Sequence, residues 1–267
     1  MPLAVCATPI GNLEDVTLRV LRELAEADVV LCEDTRRTRI LTARHGIDAR
    51  LLSYHEHNEA ERTAELLPRL AAGDRVALVS DAGLPSVSDP GARLIAAALE
   101  AGVPVTVLPG ASPVETALVV SGFAAERYQF LGYLPRGEAA LSVLWGEVRR
   151  WPWPAVAFES PRRLPATLRS LAKALPERPV AVCRELTKQF EDVVRGTASE
   201  VAARFREAPK GEITIVLGPA VPEPVDLAEA AAAVSELVAT GVARRQAADF
   251  VARLTGASRN ALYRASL

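Results

Sequence analysis

The chain has 267 residues, of which 49% are hydrophobic and 24% charged, and its formal net charge is −2. That length can bury a large core and leaves room for two domains, while the near-neutral charge is no electrostatic footprint for a generic nucleic-acid binder. No apolar run approaches the roughly 18 residues of a membrane helix. The apolar N-terminal stretch has no basic region before it and is too short for a secretory leader, so a cytoplasmic protein with no membrane partner is expected. Cys6, Cys32 and Cys183 lie in apolar runs without a CxxC pair. Their odd count argues against a disulfide framework and against a zinc site, and they read as core residues.

Strands and helices alternate along the first half. Leu3–Ala7 reads as a strand, and Val16–Ala25 as a helix with Val16, Val20, Leu21 and Leu24 on one face. Val29–Cys32 reads as a strand, and Thr35–His45 as a helix ending at Gly46. Arg50–Ser53 is the next expected strand, followed by a helix over Asn58–Ala72 with Asn58 as N-cap. Val76–Val79 and Val105–Leu108 are further expected strands, with helices at Gly91–Ala101 and Pro113–Ser121. Five short strands separated by helices predict a mostly parallel sheet covered on both faces.

A second α/β unit is expected to begin near residues 120–130, opening with Phe130 and Leu131. Its expected strands are Ala155–Phe158, Val180–Cys183, Val193–Gly196 and Ile213–Leu217, and its helices Glu138–Arg150, Pro165–Ala174 and Ala198–Arg206. The strands follow one another closely, as in a mixed sheet. The Pro-rich residues 219–226 read as a stiff linker. Beyond them, Arg244 to Arg264 has a helix–turn–helix cadence, with Gly256 at the break and Ser258 placed to cap the second helix. Plain helical hairpins share that cadence. The expected fold is therefore α/β with two domains, 1–122 and 123–219, and a helical extension, 226–267.

Polar turns follow the predicted strands. The loop Ser80-Asp-Ala-Gly-Leu-Pro-Ser-Val-Ser-Asp-Pro-Gly91 carries two carboxylates (Asp81, Asp89), two hydroxyls (Ser80, Ser88) and no Lys or Arg before Arg93. Loops at the carboxyl ends of buried strands bind ligands in open α/β sheets. This one suits hydroxyls or a positive centre better than a polyphosphate. Ala7-Thr-Pro-Ile-Gly-Asn-Leu13 lets backbone approach a ligand but lacks the dinucleotide fingerprint, and no P-loop, HExxH or GxSxG occurs. Glu33-Asp-Thr-Arg-Arg-Thr38 sets acid beside Arg, an arrangement that positions Arg for a phosphate and equally makes a helix N-terminus capped by Asp34. In Ser53-Tyr-His-Glu-His-Asn58 the two histidines would share one face of a strand, as a metal pair does, but no third ligand cluster accompanies them. A polar patch touching substrate is expected there, without metal. Pro109-Gly-Ala-Ser-Pro113, Phe158-Glu-Ser-Pro-Arg-Arg163, Cys183-Arg-Glu-Leu-Thr-Lys188 and Gly211-Glu-Ile-Thr-Ile215 are further turns of this kind. Their convergence describes a cleft between domains. Four Arg doublets, at 36–37, 149–150, 162–163 and 244–245, add local positive charge.

Taken in order, these motifs resemble the tetrapyrrole-methylase superfamily of S-adenosylmethionine-dependent methyltransferases. The resemblance runs from about residue 3 to residue 218, and the C-terminal extension is similar too. Glu33-Asp-Thr-Arg and Ser53-Tyr-His-Glu-His-Asn resemble the branch that methylates small-subunit ribosomal RNA, whereas the Ser-Asp-Ala-Gly loop is shared in looser form with corrin-precursor methylases. The resemblance implies a homodimer and a cleft that binds S-adenosylmethionine in a bent pose. The matching cofactor residues are Pro9, Ile10 and Gly11; Asp81, Ala82, Gly83, Leu84, Pro85 and Ser88; Ala111 and Ser112; and Phe158, Glu212 and Ile213. It implies as acceptor the ribose 2′-OH of a cytidine in 16S rRNA, free or within the 30S subunit, with a precorrin-type tetrapyrrole as the alternative. A ribose hydroxyl is a weak acid, so a proton acceptor helps. Glu33, Asp34, His55 and Glu185 are candidates, and Lys188 or Arg36 could hold a phosphate or steady the developing alkoxide. Arg36, Arg37, Arg162 and the Arg244–Arg264 segment are candidates for contact with the RNA backbone.

Overall fold

A computed structural model describes residues 2–86, 89–220 and 226–267, in two compact units, Met1–Ala220 and Val221–Leu267. Ser88 lies outside the described residues.

The first sheet contains β1 (Leu3–Cys6), β2 (Val29–Cys32), β3 (Leu51–Ser53), β4 (Val76–Val79) and β5 (Val105–Leu108), in the order β3-β2-β4-β1-β5. Every pairing is parallel. β1, β2 and β4 are buried at each position, which is why they read as continuous apolar runs. The two-residue period divides them between two cores. Leu3, Val5, Val29, Leu31, Val76 and Leu78 face α3 (Glu59–Ala71) and α4 (Ala92–Glu100). Ala4, Cys6, Val30, Cys32, Ala77 and Val79 face α1 (Leu18–Glu26) and α2 (Thr35–Arg44). Adjacent β1 and β4 therefore send their chains to opposite faces, and the crevice between their carboxyl ends is the switch point of the sheet.

α5 (Pro113–Ser121) leaves the first sheet and packs on the second. That sheet has β6 (Gln129–Tyr133), β7 (Ala155–Glu159), β8 (Pro179–Arg184), β9 (Asp192–Thr197) and β10 (Ile213–Leu217), in the order β6-β7-β10-β8-β9. β6 and β7 are parallel and the other pairs antiparallel. One face is covered by α6 (Glu138–Val148), α7 (Leu164–Ala174) and α8 (Ala198–Arg204). The other packs Val156, Ala181, Cys183 and Val216 against Val114, Ala117 and Leu118 of α5, together with Ile10 and Leu186. This shared core holds the two sheets at a common cleft. Arg195 of β9 reinforces it by donating to the carbonyls of Val120 and Ser121 at the end of α5.

The second unit is a three-helix cluster, α9 (Leu227–Ala239), α10 (Arg244–Thr255) and α11 (Arg259–Ala265), closed around Val234, Ala247, Ala248 and Leu262. No helix among the described residues is long and apolar enough to cross a membrane.

Four local expectations change. Asn58 stands before α3 without capping it; its side chain accepts from the His55 amide at 2.8 Å and donates to the Ser53 carbonyl at 3.2 Å. His55 and His57 therefore lie in a turn beyond β3, not in a strand, with rings 5.9 Å apart. Ser258 stands before α11 with no side-chain capping bond. α1 begins later than its apolar spacing suggests, because Thr17 caps the Val20 amide at 3.2 Å and sets the first turn. The three cysteines are buried thiols, as their apolar neighbours predicted. Burial pushes Cys6 and Cys183 up to about 12, so neither is a nucleophile near neutral pH.

Candidate active site

The loops after β1 and β4 meet first. Thr8 and Gly83 form an antiparallel bridge, with amide-to-carbonyl distances of 2.8 and 3.0 Å. The Thr8 hydroxyl donates to the Ser80 carbonyl at 3.0 Å, and the Ser80 hydroxyl to that of Gly83 at 3.1 Å. Gly83 holds φ +79°, a conformation that favours glycine. Gly110, after β5, packs so closely on Ala7 that an added Cβ would stand 2.9 Å from the Ala7 methyl. The three turns thus form one rim at the switch point.

Below that rim lies a cavity of about 740 Å³ between the two sheets. From the first sheet, Ile10, Asp81, Ala82, Leu84, Ala111 and Ser112 line it; from the second, Phe158, Glu212 and Ile213. The strand-end turns of the sequence had pointed to these nine. Pro9 and Gly11 line an adjoining cavity of about 230 Å³, which shares Ile10, Arg37, Asp81, Ala82 and Glu212 with the larger one. Gly83 and Pro85 line neither and shape the loop instead. A Cβ on Gly11 would meet Lys188 Cγ at 2.5 Å and Thr187 Oγ1 at 2.8 Å, and the Asn12 amide donates to Thr187 Oγ1 at 3.0 Å. Gly11 is where the β1 loop touches the β8–β9 loop.

The lining pairs aromatic rings with carboxylates. Phe130 and Tyr133 stand edge-on to Phe158 at 5.0 and 5.5 Å. Five acids line the cavity: Asp81, Asp89, Glu115, Glu159 and Glu212. Arg37 is the one basic residue among the lining residues, and its Nε lies 3.6 Å from Asp81. Burial, aided by Glu33, pushes Asp89 up to about 6. Burial and then Asp89 raise Tyr133. An acidic cavity with a ring wall, small-residue backbone and no lysine fits the S-adenosylmethionine that the motif resemblance implies: carboxylates favour a sulfonium, and rings accept an adenine edge.

The expected proton-handling residues are mostly engaged elsewhere. Asp34 caps α2 through the Arg36 amide at 2.9 Å and holds the Arg36 guanidinium at 2.7 Å. The Arg36 bonds hold its carboxyl down at about 2. The Arg36 side chain is 85% exposed. Glu185 accepts from the Glu212 amide at 2.9 Å and from Lys188 at 2.9 Å, and these bonds lower its pKa. Lys188 also reaches Glu212 at 3.0 Å. Partial burial alone would depress Lys188; the two carboxylates outweigh it and raise it. Lys188 lines the smaller cavity, while Glu33, Asp34, Arg36, His55 and Glu185 line neither. Burial, then the Asp81 charge, raises Glu33.

Two lining carboxylates, Glu115 and Glu159, take partners that the sequence motifs did not assign. Glu115 takes hydroxyl bonds from Ser112 and Tyr128, which outweigh burial and lower its pKa; the Ser-x-x-Glu spacing was the available clue. Glu159, with a side chain at 0% exposure, binds Arg163 at 3.0 Å and the Thr167 hydroxyl at 2.6 Å. Arg163 also donates to the carbonyls of Leu134 and Pro135 at 2.6 and 3.0 Å. One member of the 162–163 doublet thus turns inward to anchor the segment that carries Tyr133, and Arg162 stays exposed.

Two sheets sharing a core within one compact unit, with an acidic, ring-walled cleft at a switch point, define a two-sheet α/β fold built around a ligand-sized cavity. Residues 2–202 match the family model described as Tetrapyrrole (Corrin/Porphyrin) Methylases, and the chain belongs to that family. It is 44% identical over 265 residues to "Ribosomal RNA small subunit methyltransferase I" of Micromonospora olivasterospora, covering 98% of this chain and 85% of the relative. A Thermotoga maritima protein of the same description is 43% identical, covering 80% of this chain and 97% of its own length. Among solved structures, uroporphyrin-III C-methyltransferase from Thermus thermophilus complexed with S-adenyl homocysteine matches with a TM-score of 0.57 at 20% identity, covering 81% of this chain and 96% of that one.

Proposed function

We propose that this chain is an S-adenosylmethionine-dependent methyltransferase of small-subunit ribosomal RNA, with the ribose 2′-OH of a cytidine as acceptor. The observation that carries the donor half is the lysine-free, carboxylate- and ring-lined cavity at the switch point. The RNA half rests on relatives described as small-subunit rRNA methyltransferases, matched across 98% of this chain.

When bound, S-adenosylmethionine supplies an electrophilic methyl group on a sulfonium. Ile10, Asp81, Ala82, Leu84, Ala111, Ser112, Phe158, Glu212 and Ile213 are assigned to hold it, with Pro9, Gly11, Gly83 and Pro85 shaping the loops around them. The chain's main contribution is alignment, since fixed near-attack geometry removes several kcal/mol of barrier. The Thr8–Gly83 bridge and the Gly11–Thr187 contact hold the two loops that alignment requires. Arg36, Arg37, Arg162 and the basic residues of α10 and α11 are assigned to the phosphate backbone, and Lys188 and Arg36 to a phosphate beside the acceptor. The assembly is a homodimer in this reading. Edge strand β5 carries Val107 at 50% exposure and α5 carries Val119 at 79%, apolar surface that a second copy would cover.

The test is transfer of labelled methyl from S-adenosylmethionine to purified 30S subunits and, in parallel, to a corrin precursor. Mapping of ribose methylation in 16S rRNA from cells lacking the protein accompanies it. A single cytidine 2′-O-methyl that disappears without the protein is expected. Label entering only the tetrapyrrole would replace the RNA assignment with the precorrin one.

A further inference from the structure

The five carboxylates of the larger cavity are not equivalent. Asp81 accepts from the Asp34 amide at 3.0 Å and faces Arg37. Glu115 is saturated by two hydroxyls, Glu159 is paired with Arg163, and Glu212 is paired with Lys188. No cation among the described residues pairs with Asp89; the nearby Ser80 hydroxyl, which donates to the Gly83 carbonyl at 3.1 Å, lowers its affinity for a proton but does not outweigh burial. The charged and titratable groups facing it are Glu33 after β2, Asp81 after β4 and Tyr133 at the end of β6. Beyond them, Arg37 and His55 act on Glu33, and Glu159 and Glu212 on Tyr133.

The chain just beyond Asp89 is held from behind. Glu59 Oε1 accepts from the Gly91 amide at 3.1 Å and the Arg93 amide at 3.3 Å. The same oxygen accepts from the Tyr54 hydroxyl at 3.2 Å, and Tyr54, 1% exposed, also bonds Thr63 at 3.2 Å. Gly91 sits at φ +137°, where an added Cβ would come 2.9 Å from Leu78. Tyr54, Glu59 and Gly91 thus brace the loop two residues past the carboxylate.

We propose that Asp89 is the proton acceptor of the methyl transfer, aimed into the cavity by the Tyr54–Glu59–Gly91 brace; this rests on the ribose 2′-O reading above. The hydroxyl oxygen forms its bond to the methyl carbon as the carbon–sulfur bond of the donor breaks with its electron pair on sulfur. The hydroxyl proton passes to a carboxylate oxygen of Asp89, which returns it to solvent. The raised affinity of Asp89 for a proton, at about 6, leaves the group ionised near neutral pH yet more basic than an ordinary carboxylate, as general-base catalysis requires.

The test compares the full-length protein with Asp89→Asn and Tyr54→Phe. It uses single-turnover methylation of 30S subunits across pH, calorimetry with S-adenosylhomocysteine, and carboxyl ¹³C NMR titration. Asp89→Asn should bind S-adenosylhomocysteine within about twofold of wild type yet react roughly 10²–10⁴-fold more slowly. The wild-type rate should climb through pH 6, and that limb and one carboxyl titrating near about 6 should vanish together in Asp89→Asn. Tyr54→Phe, which removes nothing from the cavity, should slow the reaction while keeping the limb. A near-wild-type rate in Asp89→Asn, a pH limb that survives it, or loss of S-adenosylhomocysteine binding would each overturn the role. Wild type that transfers no methyl to 30S subunits refutes the acceptor reading instead; Asp89 is then judged by its titration, and an ordinary carboxylate value overturns it.

Discussion

Arg163 illustrates how one side chain's direction changes its meaning. In a doublet beside a strand-end turn it reads as surface charge; in the structure it neutralises Glu159, buried at 0% side-chain exposure, and ties down Leu134 and Pro135. Removing one partner of a buried pair leaves an uncompensated charge, so Arg163→Met should cost about 3–5 kcal/mol in urea unfolding. The Tyr133 wall should loosen with it and weaken S-adenosylhomocysteine binding. Asp89 has the opposite sign. Its folded pKa is raised from 3.8 to about 6, so its contribution to stability is present below the unfolded value and is lost as pH rises through the folded one. Asp89→Asn should therefore be more stable than wild type at pH 7–8, by about 1 kcal/mol after discounting solvent screening. The difference should shrink below pH 4. Thermal unfolding at both pH values measures it, and equal midpoints at pH 8 would contradict the burial argument.

At the scale of elements, the site is a set of turns held by backbone more than by side chains. Thr8–Gly83 joins two loops of the first sheet, and Gly11 against Thr187 and Lys188 joins the first sheet's loop to the second's. Gly11→Val should force these loops apart and cost about 1–3 kcal/mol, as overpacking of a tight contact does. A lowered denaturation midpoint together with weakened S-adenosylhomocysteine binding is the expected pair of results. These turns were legible because Gly, Pro, Ser and Asp punctuate apolar runs of four. Nine of the residues read from them do line the larger cavity. Glu185 and Lys188 were legible as polar residues at a strand end, but not as partners of one another and of Glu212. That pairing follows from β8 lying antiparallel to β10, with Arg184 opposite Ile213, a register that no local pattern specifies.

At the scale of the whole molecule, the chain forms two compact units. Both sheets and both cavities belong to Met1–Ala220, and the Arg-rich helices to Val221–Leu267. Met1–Ala220 has hydrophobic cores of its own, separate from that of the three-helix cluster. Residues 1–220 alone should therefore fold and bind S-adenosylhomocysteine as the full chain does. Affinity for 30S subunits should fall, with a salt dependence shallower by about 0.7 in log–log slope for each single-strand phosphate that the helices no longer neutralise. An unchanged slope would place the RNA-binding surface on the first unit alone.

The sequence by itself determined the alternation of strands and helices, the two-sheet architecture, and the strand-end turns that surround the cleft. Those features are written in local periodicity and turn chemistry, which each segment carries without its neighbours. Only the tertiary structure decided which carboxylates are spent and which is left facing the cavity. Asp34, Glu185, Glu212 and Asp89 are alike as residues in polar turns. The first three are neutralised by Arg36 and Lys188, while Asp89 is desolvated beside Glu33 and Asp81 with no cation paired to it among the described residues. Charge pairing and burial depend on what the fold brings within a few ångströms, and that is set by packing between distant segments.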